Sequence, residues 1–226
     1  FRADPSGAFY MAEGTFLHSH VETPYGVERS TNGGFFRYSP QRQQLERTLR
    51  VSIPNPWGIA FDAFGQDFFA DTSDPNVRWM SPASLWVPFG EFAPLPPNLI
   101  PNAQKVRPTA GLDFISSRHF PDDVQGDLII NNTIGFLGMK QHQLTDKGTG
   151  YAFKHRQDLI VGEDRNFRPV DMAANDTVVA AVARLIGQCH FEVGDEIHRH
   201  LDLVFEVGRQ RPIRQLQTPA HIVQVA

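Results

Sequence analysis

Pro56-Trp57-Gly58-Ile59-Ala60-Phe61-Asp62-Ala63-Phe64-Gly65-Gln66-Asp67-Phe68-Phe69-Ala70-Asp71 is two apolar runs of strand length, joined by a turn that holds Asp62 and Gly65 and closed by a polar residue. Runs of this length, bounded by turn residues, read as a pair of β-strands. Upstream, Ala3-Asp4-Pro5-Ser6-Gly7-Ala8-Phe9-Tyr10-Met11-Ala12-Glu13 follows the same plan. Downstream, Pro108-Thr109-Ala110-Gly111-Leu112-Asp113-Phe114 followed by Gly126-Asp127-Leu128-Ile129-Ile130-Asn131-Asn132 repeats it, and Arg168-Pro169-Val170-Asp171-Met172 begins a fourth copy. The copies start at Pro56, Pro108 and Pro169, a little further apart than the roughly 40–50 residues typical of a four-stranded propeller blade. The excess implies inserted loops, of which the proline-rich stretch 82–101 is one; loops of that length are often functional. The recurrent Asp62, Asp71 and Asp113 are read as caps of the tight turns, through side-chain bonds to backbone N–H groups.

Between the repeats, 33–38 and 45–53 read as strands, as does 135–142. Asp146-Lys147-Gly148-Thr149-Gly150 is a hairpin turn returning into a strand over 151–160. After position 172 the grammar changes. Asp176 can cap a helix over 177–187, and 189–207 then alternates like strands. The expected fold is all-β: a partial β-propeller of about three blades of four-stranded antiparallel sheets over 1–172, with a divergent α/β C-terminal tail over 173–226.

Composition agrees with a packed β domain. Among 226 residues, 41% are hydrophobic and 20% charged, enough for a core, and Phe occurs 18 times, which suits strands. Net charge is −4 with the acids scattered, so a nucleic-acid partner has no basic footprint to meet. The longest apolar run, 178–186, is far short of a membrane span and contains Arg184. The single cysteine, Cys189, excludes an internal disulfide and a C-x-x-C-H haem attachment. The chain starts at Phe1 rather than Met, in what reads as mid-blade, so a fragment of a longer protein is expected.

Three patterns carry candidate chemistry. His18, His20 and Glu22 alternate, which on a strand places all three on one face, where imidazole and carboxylate can bind a metal or act as base and orienter. Arg29 and Asn32 follow in what reads as a short loop and are candidates to bind a substrate oxygen; the plainer reading of the group is a polar rim strand. Asp71-Thr72-Ser73-Asp74 is rich in oxygen but lacks calcium-loop spacing. Glu196, His198, His200 and Asp202 also alternate, though a solvated face explains them as well. Neither a glycine-rich phosphate cradle nor Gly-x-Ser-x-Gly is present.

Several segments carry a family resemblance: His18-Ser19-His20-Val21-Glu22-Thr23-Pro24-Tyr25-Gly26, Asn32-Gly33-Gly34-Phe35-Phe36-Arg37-Tyr38, Asn55-Pro56-Trp57-Gly58, Ser117-Arg118-His119-Phe120-Pro121 and Arg165-Asn166-Phe167-Arg168-Pro169-Val170-Asp171. Over about residues 3–172 the chain resembles the N-terminal β-propeller of bacterial membrane-bound dehydrogenases, relatives of the soluble glucose and sorbosone dehydrogenases; 173–226 departs from that pattern. The resemblance implies an oxidoreductase-like domain of a larger, membrane-associated dehydrogenase, periplasmic or otherwise extracytoplasmic, acting on a sugar or polyol. His119 is the expected base that takes a hydroxyl proton, with Arg118 beside it, on a loop connecting blades at the channel mouth. Trp57, Asn132 and Arg168 join His18, His20, Glu22, Arg29 and Asn32 as expected substrate-binding residues, although packing is the ordinary role of Trp57. A quinone and calcium are the cofactors such chemistry suggests. Haem belongs to a downstream cytochrome domain in that family, an expected partner or electron acceptor. The competing reading is a non-catalytic propeller that binds carbohydrate or protein partners. No dedicated metal site is assigned.

Overall fold

The computed structural model describes residues 1–81 and 86–174, with side chains through 172, and the backbone of three further strands, Val179–Arg184, Phe191–Val193 and Leu203–Phe205. The described chain is all-β and divides into two compact units, Phe1–Leu99 and Ile100–Ala226.

In the first unit, β1 (Arg2–Ala3), β2 (Phe9–Glu13), β5 (Gly34–Ser39) and β6 (Gln44–Leu49) form one antiparallel sheet in that order. Between β2 and β5 the chain leaves as a separate hairpin, β3 (His18–Thr23) and β4 (Gly26–Thr31). The opening repeat becomes the three-stranded sheet β7 (Pro56–Phe61), β8 (Asp67–Asp71) and β9 (Asn76–Trp79). One apolar core joins the two larger sheets, with Tyr10, Phe35 and Leu49 from the first and Ile59 and Phe69 from the second. The Phe35 and Phe69 rings lie 5.1 Å apart, and the Tyr10 hydroxyl donates to Asp67 Oδ2 at 3.1 Å across the same junction.

The repeated turn has a repeated cause. Asp4 Oδ1 accepts from the N–H groups of Ser6 and Ala8, and Asp62 Oδ1 accepts from those of Phe64 and Gln66. In both, the glycine three residues after the aspartate adopts positive φ, 85° at Gly7 and 78° at Gly65, which a side chain disfavours. The carboxylate replaces the ladder bonds that the turn interrupts.

In the second unit, β10 (Thr109–Phe114), β11 (Leu128–Asn132), β12 (Gly138–Lys147), β13 (Gly150–Gly162) and β16 (Phe191–Val193) form an antiparallel sheet in that order. The expected hairpin turn is present, with Lys147 paired to Gly150 and Gly148 at φ 61°. β14 (Arg168–Ala174) runs across position 172/173 and packs against β10, where a Cβ on Gly111 would collide with the Asp171 backbone and carboxylate.

The α/β tail is corrected in part. Within the span expected as helix, β15 (Val179–Arg184) is a strand, antiparallel to β14 and parallel to β17 (Leu203–Phe205). Its β-branched Val179 and Val182 favour strand, and the open edge of β14 offers the hydrogen-bonding partner that a lone short helix lacks. The described sheets have two, three, three, four and five strands. No helix among the described residues is long and apolar enough to cross a membrane.

Candidate functional site

The hairpin β3–β4 presents the first candidate group. Thr23 and Gly26 pair around Pro24-Tyr25, and the Thr23 hydroxyl accepts from Tyr25 N–H and donates to the Gly26 carbonyl. His18, His20 and Glu22 alternate along β3 and are exposed. Their cross-strand neighbours are Thr31, Arg29 and Val27. Arg29 therefore lies on a strand rather than in a loop, directly opposite His20. Asn32 sits just beyond β4 at φ 58°; its side-chain oxygen accepts from Phe16 N–H and its own N–H donates to the Leu17 carbonyl. Both bonds close the base of the hairpin, a positioning role.

His20 and Arg29 meet further residues that sequence reading missed. The Phe89 ring lies 5.9 Å from the His20 ring and 5.9 Å from the Arg29 guanidinium carbon. Arg50 stacks on the same ring at 5.6 Å and on Phe92 at 4.6 Å, close enough for cation–π attraction. Arg47 donates to the carbonyls of Val87 and Arg29, and Arg50 donates to the Pro88 carbonyl and the Thr31 hydroxyl. Three arginines thus bind the proline-rich segment to the hairpin. The available sequence signal was the pairing of Phe89 and Phe92 with the arginine-rich end of β6. Burial and the neighbouring Arg47 cation lower the Arg50 pKa, against the opposing charge of Glu13.

Trp57, on β7, is 52% exposed, so it does not pack in the core. In the second unit, Arg118 and His119 lie between β10 and β11, neighbouring strands of one sheet; this corrects the expected position between blades. Here the repeated turn is expanded. Ile115 N–H donates to the Asp127 carbonyl and Gly126 N–H to the Ile115 carbonyl, the same two bonds that Asp62, Gln66 and Gly65 make. Residues 116–125 are thus an insertion into a turn that is minimal in the other two copies. The insertion is ordered from within: Ser117, Phe120 and Val124 are buried, and the Gln125 amide donates to the carbonyls of Ser117, Phe120 and Pro121. Arg118 is exposed and His119 half-buried on this frame.

Asn132 is buried, and its amide donates to the Val106 carbonyl at 2.7 Å, fastening the preceding loop. Arg168 is exposed and donates to the Arg165 carbonyl. The expected residues therefore divide between the units. His18, His20, Glu22, Arg29, Asn32 and Trp57 belong to the first; Arg118, His119, Asn132 and Arg168 belong to the second.

A second titratable group on β12 and β13 also went unread. Asp158 Oδ1 accepts from Lys140 Nζ at 2.9 Å and lies 3.5 Å from His155 Nε2, whose ring is 5.1 Å from that of His142. Burial, with His155 and Lys140 adding repulsion, holds the His142 imidazole down to about 3. Its signal in the sequence was Lys140 and His142 alternating on a strand otherwise buried.

Calcium does not fit the oxygen-rich turn. Asp71 Oδ1 accepts from Ser73 N–H, and Asp74 Oδ2 accepts from the Asn76 amide and lies 3.8 Å from the Arg78 guanidinium. Among the described residues, no three His, Cys, Asp or Glu side chains are arranged to hold a metal ion. The set at Glu196, His198, His200 and Asp202 lies outside the described residues. No protein-family model matches the chain, and no curated protein matches it at a significant level.

Proposed function

We propose that the chain is an oxidoreductase-like β-domain acting on a sugar or polyol, with the 116–125 insertion presenting its reactive group. The observation that carries this reading is the opening of one turn out of three. Insertions in repeat architectures collect at binding faces, and this one holds an exposed Arg118 and a half-buried His119 on a frame tied by Gln125. In this reading the His119 imidazole receives the proton of a substrate hydroxyl, Arg118 donates to the substrate oxygen, and the hydride of the carbinol carbon leaves to an electron acceptor supplied from outside the chain, a quinone or a dye. Among the described residues no three His, Cys, Asp or Glu side chains are grouped to hold a metal ion, and no step is assigned to the calcium or quinone that the resemblance implies.

Dye-linked oxidation of a sugar and polyol panel, with and without added quinone and Ca²⁺, tests the reading. Turnover by the wild-type chain, with kcat reduced about 100-fold or more in a folded His119→Ala variant, supports it. Absence of turnover across the panel removes it.

A second reading, a module that binds carbohydrate without turning it over, is favoured by Phe89 and Phe92. Both are part-exposed and sit among Arg29, Arg50 and His20, a mixture of apolar faces and hydrogen-bond donors typical of small-ligand sites.

A further inference from the structure

Positive charge gathers around one half-open ring in the first unit. The guanidinium carbons of Arg29 and Arg50 lie 5.9 Å and 5.6 Å from the Phe89 ring centroid, and the His20 ring lies 5.9 Å from it. Arg47 adjoins them, its guanidinium bound to the carbonyls of Arg29 and Val87. No salt bridge of the described residues includes any of these four. Arg50 uses both terminal nitrogens on Pro88 and Thr31, so it serves to hold the proline-rich segment. Arg29 differs. Its side chain is exposed and makes no hydrogen bond among the described residues; it is fixed in place through its backbone carbonyl and its pairing with His20.

Arginine keeps its charge at any ordinary pH, and like charges drawn together repel. Attraction to the Phe89 ring offsets part of that repulsion; an anion would offset more. The unpaired guanidinium of Arg29 is a planar fork that matches a carboxylate in two parallel hydrogen bonds. His20, exposed and directly opposite on the same face of the hairpin, adds a ring donor. Phe89 and Phe92 remain 49% and 38% exposed, so apolar surface stays open beside the fork. An inorganic anion would use the fork and leave the rings wet. A neutral sugar would use the rings and leave Arg29 without a counter-charge. A sugar that carries a carboxylate uses both. Glu22, exposed two residues along β3 on the face of His20, accepts from hydroxyls and repels a second negative charge, which favours a single carboxylate over a phosphate dianion.

We infer that Arg29, exposed beside Phe89 and opposite His20, seats the carboxylate of an acidic sugar of the uronate class, whose carbon skeleton lies on Phe89 and Phe92. The inference rests on the carbohydrate-binding reading of these two rings and adds the charge that the ligand carries.

Calorimetric titration of the full chain with glucuronate, with glucose and with cyclohexanecarboxylate tests it. Glucuronate is expected to bind at least about tenfold more tightly than either of the others, the worth of one hydrogen bond to a charged group. Its affinity is expected to fall as salt is raised, as an exposed ion pair requires. Arg29→Gln is expected to bring glucuronate down to the affinity of glucose with the thermal midpoint unchanged, since the side chain makes no hydrogen bond that the variant would lose. Phe89→Leu is expected to weaken both sugars together. Glucose bound as tightly as glucuronate, glucuronate binding indifferent to salt, or binding unchanged in Arg29→Gln overturns the inference and leaves the carbohydrate reading standing. Cyclohexanecarboxylate bound as tightly as glucuronate, or sugar binding unchanged in Phe89→Leu, overturns both, as does no binding of any of the three compounds.

Discussion

At the scale of single residues, burial determines which titratable groups matter. His142 is 1% exposed, and its imidazole is held from the usual 6.5 down to about 3. The unfolded chain therefore takes up a proton that the native state refuses between those values. Stability from this residue is fully present above about pH 6.5 and is lost as pH falls through the window toward about 3. Thermal melts from about pH 7 down to about pH 4 are expected to show a falling Tm. His142→Gln, which removes the titration, is expected to flatten that fall; a variant with the wild-type slope would assign acid sensitivity elsewhere.

At the scale of elements, one turn occurs three times in two forms. Asp4 and Asp62 build it in its shortest form, and the third copy retains the closing backbone bonds while inserting 116–125. Because the insertion is ordered by its own contacts, it is sensitive at Gln125. Gln125→Ala removes the amide that three carbonyls share and is expected to cost about 1–2 kcal/mol. Hydrogen exchange should show lost protection within 117–127 with β12 and β13 unaffected. An unchanged exchange pattern would mean that the buried Phe120 and Val124 alone order the loop. The strand pairs were legible in the sequence because apolar runs and Asp–Gly turns are local signals. The β15 strand was not: a short Ala- and Val-rich segment is ambiguous until the open edge of β14 supplies its partner.

At the scale of the whole molecule, the division after Leu99 gives two units with separate reporters. All three tryptophans, Trp57, Trp79 and Trp86, lie in the first, so intrinsic fluorescence follows that unit. Gly34→Ala would force a Cβ into the Leu49 carbonyl at φ 139° and is expected to cost roughly 2–4 kcal/mol. The fluorescence-detected denaturant midpoint should fall, while amide exchange in β11 to β13 keeps its wild-type protection. A matching loss in both would show that the units unfold as one.

By itself the sequence determined the all-β class, the repeated strand–turn–strand unit, Asp62 as the cap of its turn and the one-face alternation of His18, His20 and Glu22. Each of these depends on residues within a few positions of one another, where side-chain period and turn chemistry act directly. Only the tertiary structure decided that Arg29 stands opposite His20 and that Phe89 and Phe92 lie over Arg50. Those outcomes depend on register and on long-range packing, and desolvation of a charged group is set by what the fold brings over it rather than by the residues beside it in the chain.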